Sequence, residues 1–88
     1  MKSSKFIVTG VVQGVGFRYH TKQMATRLGL FGFVKNLPDR SVAVVLYGEQ
    51  SQIDKLANWL QQGPALASVE SVQEEDIVQE IYSSFEIY

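Results

Sequence analysis

Val12-Gln13-Gly14-Val15-Gly16-Phe17-Arg18 stands where one periodicity stops and another begins. Before it, Lys5-Phe6-Ile7-Val8-Thr9-Gly10-Val11-Val12 is rich in β-branched and aromatic residues. Its Phe6/Val8 and Ile7/Val11 sets fall on opposite faces of a strand. After it, Phe17, Thr21, Met24, Ala25 and Leu28 recur at helical spacing, and Gly29 sits where a C′ residue belongs. The segment is therefore a strand-to-helix turn built on two glycines.

Working outward, Leu30 to Leu37 predicts a second strand and Val42 to Leu46 a third. Pro38-Asp39-Arg40-Ser41 between them has the chemistry of a turn, so the two strands form a hairpin. Ser51, with Asp54 three residues on, predicts the cap of a second helix whose apolar stripe is Ile53, Leu56, Ala57 and Leu60. Gly63-Pro64 stops it. Val69 to Val78 and the closing Phe85-Glu86-Ile87-Tyr88 supply the remaining strand material, the latter as a short fifth strand. The order β-α-β-β-α-β is that of the α+β ferredoxin-like sandwich, two helices on one face of an antiparallel sheet. That architecture hosts enzymes, RNA binders and small-ligand regulators, so it decides no function by itself.

At 88 residues the chain is expected to be one domain, residues 1–88. Its 45% hydrophobic and 19% charged residues exclude a disordered tail or a low-complexity segment. No apolar run approaches the roughly 18 residues of a membrane span, and the polar start resembles no signal peptide, so a cytoplasmic setting is expected. With no cysteine and one histidine there is no disulfide framework, thiolate site or His cluster, which leaves only an oxygen-liganded metal as a formal option. Charge is uneven beneath a net of −1: residues 1–40 carry seven cations against Asp39, and residues 41–88 carry Lys55 against eight carboxylates. Folding either gathers the cations into an anion-attracting side or neutralises the halves across the sheet. Charge alone does not choose.

The loop is more specific. Two glycines let successive N–H groups of residues 13–18 turn toward one point, at the positive end of a helix, which is a preferred anion site. Arg18 follows in the first helical turn, where a guanidinium adds a bidentate fork to a phosphate. The loop lacks the Gly-Lys-Ser/Thr of a Walker A motif and the third glycine of a dinucleotide fingerprint.

These residues resemble the acylphosphatase family, small metal-independent enzymes that hydrolyse the carboxyl–phosphate bond. Val12 to Arg18 is similar to that family's first signature and Gly32-Phe33-Val34-Lys35-Asn36-Leu37-Pro38-Asp39 to its second. Gly63-Pro64 with Ala67, Val69 and Val72, and the closing Phe85-Glu86-Ile87-Tyr88, also resemble the family, so the likeness covers essentially the whole chain. The chain departs from the family at Arg40, where glycine is usual after the turn aspartate, and at Ala43, where glutamate is frequent. If position 40 needs positive φ, arginine there costs on the order of 1 kcal/mol.

The resemblance implies an enzyme with two catalytic residues, Arg18 as phosphate-binding arginine and Asn36 as water-positioning asparagine. Phosphate would be held by Gln13, Gly14, Val15, Gly16, Phe17 and Arg18, with no metal and no cofactor. It further implies a monomer acting on a small-molecule acyl phosphate, with inorganic phosphate as product and competitive inhibitor, and neither nucleic acid nor membrane as partner. Phosphoryl transfer through a loose transition state is mostly positioning and charge stabilisation, and a carboxylate leaves without a general acid. The competing reading is a non-catalytic ferredoxin-like module that binds a small phosphate or carbamoyl ligand, or a protein. A pure binder needs Arg18 and the loop but has no use for an aimed water, and both Arg18 and Asn36 are present.

Two other features mislead. Phe31-Gly32-Phe33-Val34 echoes an RNA-recognition strand, yet it lacks the preceding basic residue and the closing aromatic and lies on the second strand. His20 tempts a general-base role, but two helical residues beyond Arg18 place it roughly 200° away around the axis, as a flank residue. Trp59, beside the stripe of the second helix, reads as packing.

Overall fold

A computed structural model describes all 88 residues. Its elements are β1 (Lys2–Val11), α1 (Phe17–Arg27), β2 (Phe31–Asn36), β3 (Val42–Gly48), α2 (Gln50–Leu60), β4 (Ser68–Glu75) and β5 (Phe85–Ile87). The sheet order is β4-β1-β3-β2-β5. The first four strands pair antiparallel as expected. β5 corrects the expectation of a purely antiparallel sheet: it lies parallel to β2, with Gly32 opposite Phe85 and Val34 opposite Ile87. The chain leaves β4 at one edge, crosses the sheet and reaches the far edge already running in the β2 direction. That correction matters for the site.

Pleat alternation sorts the strands. Phe6, Val8, Val34, Val42, Val44 and Leu46 face the helices and are buried with Phe17, Ala25, Ile53, Leu56 and Leu60. Each such aliphatic side chain contributes about 1.5–3 kcal/mol relative to exposure. Lys5, Phe33, Ala43 and Val45 face the opposite side, where residues 76–82 cross and Tyr82 meets the Phe33 ring edge-on at 6.0 Å. β4 stops at Glu75, short of the expected Val78. Beyond the Lys5–Glu75 pairing, the Gln79 side chain takes over the edge of β1, accepting from the Ser3 N–H and donating to its carbonyl.

α1 ends as its sequence requires. Leu28 is the C-cap and Gly29 has φ 70°, while Leu30 N–H donates to Ala25 O and Gly29 N–H to Thr26 O, the Schellman pair. α2 begins two residues earlier than expected: Glu49 is the N-cap, its carbonyl accepting from Gln52 and Ile53, and it makes no side-chain cap. Ser51 is then inside the helix, and Asp54 instead accepts from the Gln50 amide at 2.8 Å. Trp59 packs, as expected, with its ring 6.0 Å from Phe17.

Candidate active site

With β3 antiparallel between them, β1 and β2 run the same way, and β5 joins them. Three chain segments therefore finish at one end of the sheet. β1 leads into the glycine loop, β2 ends on Asn36, and β5 ends on Ile87. A hollow of about 280 Å³ opens there, lined by Val12, Gly14, Gly16, Phe17, Arg18, Tyr19, Asn36 and Ile87.

Gly14 and Gly16 have φ 74° and 76°, left-handed conformations that favour glycine. Gly16 is the N-cap of α1 and has no side chain to satisfy the first-turn amides. No N–H from Val12 to Gly16 donates to another group of the protein. Phe17 anchors the loop from beneath, only 2% exposed. Arg18, half-buried, donates from Nη1 to the main-chain oxygen of Tyr88 at 2.6 Å and has no Asp or Glu partner. One edge of its guanidinium is thus fixed while the rest stays available for an anion.

Asn36 lies on the helix side of the sheet, two residues beyond the buried Val34. Its Oδ1 is the one buried side-chain polar atom of the protein without a hydrogen-bond partner. Such an atom costs stability unless something bonds to it.

The loop and the hairpin are tied together. The Gln13 amide donates through Nε2 to Leu37 O at 3.0 Å and Ser41 O at 2.9 Å, fastening the glycine loop to the mouth of the turn that follows Asn36. In that turn Arg40 has φ 75°, so position 40 does require the left-handed region. The Ser41 hydroxyl and N–H both donate to Asp39 and hold its carboxyl below the usual 3.8. Ala43, the other departure, is on the sheet face away from the hollow.

Across residues 4–87 the chain matches the family model Acylphosphatase. It is 45% identical to an acylphosphatase of Vibrio vulnificus, covering 99% of this chain and 97% of that protein. It is 44% identical to one of Archaeoglobus fulgidus, covering 99% and 98%. Among solved structures, an acylphosphatase from Coxiella burnetii superposes with a TM-score of 0.94 at 41% identity, over 99% of this chain and 92% of that one. The chain belongs to the acylphosphatase family. Its reaction is hydrolysis of the carboxyl–phosphate bond of acyl phosphates to a carboxylate and inorganic phosphate.

Of the residues expected to form this acylphosphatase's site, Gly14, Gly16, Phe17, Arg18 and Asn36 come together around the hollow, whereas Gln13 and Val15 do not line it. Val12, Tyr19, Ile87 and the Tyr88 main-chain oxygen were not anticipated. Tyr19 follows from Arg18 on the same turn, but Ile87 and Tyr88 arrive only through the parallel pairing of β5. His20 is exposed and off the hollow, its Nδ1–H donating to Gly16 O at 2.8 Å, which braces the loop from outside.

Proposed function

We propose that the hollow holds the phosphoryl group of an acyl phosphate between the free loop amides and the Arg18 guanidinium, while Asn36 Oδ1 accepts a hydrogen bond from the attacking water. The observation that carries this reading is the unpartnered Asn36 oxygen, buried and beside Arg18 and the glycine loop. An amide oxygen is too weak a base to remove the proton. It orients the water in line with phosphorus. As the water oxygen bonds to phosphorus, the bond to the acyl oxygen breaks and its electron pair leaves with the carboxylate. The water proton passes to a phosphoryl oxygen. The loop amides and Arg18 stabilise the charge spread over the equatorial oxygens, which is where such catalysis is concentrated.

The positive charge comes from Arg18 and backbone dipoles, and no Asp or Glu side chain lines the hollow. No group of three or more His, Asp or Glu side chains suited to a metal gathers anywhere in the chain. The enzyme acts accordingly as a metal-independent hydrolase on a small-molecule substrate, with inorganic phosphate a competitive inhibitor. No helix is long and apolar enough to cross a membrane. The test is hydrolysis of benzoyl phosphate with and without EDTA and with added inorganic phosphate. Turnover unchanged by chelator, with apparent KM rising in phosphate, is expected. Loss of turnover restored by magnesium, or a KM insensitive to phosphate, contradicts the reading.

A further inference from the structure

Resting on that assignment of phosphoryl group and water, the remaining wall of the hollow identifies where the acyl group goes. Val12 and Phe17 are core residues at 1% and 2% exposure, Gly14 and Gly16 have no side chains, and Arg18 and Asn36 are committed. Tyr19 and Ile87 are left. Attack in line places the leaving carboxylate on the far side of phosphorus from the water. Asn36 ends β2, and Ile87 is on β5, the strand paired directly with β2, so Ile87 belongs to the water's wall. Tyr19 comes from α1, in the helix layer, whereas Asn36 and Ile87 sit at the end of the sheet.

Tyr19 is 58% exposed, yet its ring is held in place. Its Oη accepts from the Gln23 amide at 2.9 Å. The His20 ring packs against it edge-on, 5.5 Å between centroids at 85°, and His20 is itself tied to Gly16 O. The aromatic surface is thus fixed to the same loop that receives the phosphoryl group. A ring pre-positioned in this way costs little further entropy when a flat group lies against it.

We propose that Tyr19 is the specificity-determining residue for the acyl group, its ring being the platform that favours planar aryl acyl phosphates over small aliphatic ones. The test compares kcat/KM for benzoyl phosphate and acetyl phosphate in the parent, Tyr19→Ala and Tyr19→Phe. The benzoyl-to-acetyl ratio should fall about tenfold in Tyr19→Ala and stay within about twofold in Tyr19→Phe, which keeps the ring. A purely structural role for the ring would lower both substrates together and leave the ratio alone, so an unchanged ratio in Tyr19→Ala overturns the proposal. An equal fall of the ratio in Tyr19→Phe overturns it too, since the ring is then not the platform. A parent that hydrolyses neither substrate contradicts the underlying site assignment instead.

Discussion

The two turns that meet at the end of the sheet solve their backbone bonding in opposite ways. In the hairpin turn, Leu37 N–H donates to Ser41 O, Arg40 N–H to Leu37 O, and Ser41 N–H to Asp39. In the glycine loop, no N–H from Val12 to Gly16 finds an acceptor within the protein. The hairpin spends its polar groups on its own shape. The loop leaves its donors unpaired within the protein, with Gly14 and Gly16 exposed, so they are open to an anion. The Gln13 amide joins the two, so the closed turn serves as the rigid support of the open one.

Removing Arg18 strikes the open turn hardest. Arg18→Gln should weaken both substrate binding and phosphate inhibition and lower kcat, with a combined loss in kcat/KM of roughly 10²–10³. Steady-state kinetics with phosphate as inhibitor measures both. A variant that binds phosphate as well as the parent would show the loop amides suffice alone.

Gln13 probes the tie between the turns. Gln13→Ala should lower kcat by about tenfold and global stability by about 1–2 kcal/mol, read from urea unfolding. Gln13→Glu sets a carboxylate against two carbonyls and should cost more on both counts. A Gln13→Ala variant as active and as stable as the parent would mean that the amide donations to Leu37 and Ser41 contribute nothing.

The closed turn itself should respond least, and in stability only. Arg40→Gly removes the left-handed strain at φ 75° while adding freedom to the unfolded chain, for a net gain of about 0.5–1 kcal/mol. In a domain this size that raises Tm by roughly 2–8 °C, with kcat unchanged. A lower Tm would show that the Arg40 side chain repays its strain elsewhere.

Legibility in the sequence followed the range of the interactions. Local signals carried α1 from Phe17 to its Schellman end at Gly29, because the groups that terminate it lie within six residues. They also carried the glycine loop and the turn after Asn36. The resemblance to acylphosphatases assigned Arg18 and Asn36, and both line one hollow. What failed was long-range. Three residues of β5 contain no mark of parallel pairing, which is set by the crossing of residues 76–84. The Gln13 bonds span 24 and 28 residues, and Arg18 reaches Tyr88 across 70. The expected cap at Ser51 failed for a smaller reason, since Glu49 serves as N-cap through its backbone alone.

The central claim is that the loop binds while Asn36 only aims, and one variant separates the two. Asn36→Ala, first shown folded by near-UV circular dichroism, removes the buried oxygen but leaves the loop and Arg18 intact. In benzoyl phosphate hydrolysis, kcat should fall by at least about 10²-fold while KM and the inhibition constant for phosphate stay within about twofold. Retention of most turnover, or phosphate inhibition weakened as far as in Arg18→Gln, would contradict the account.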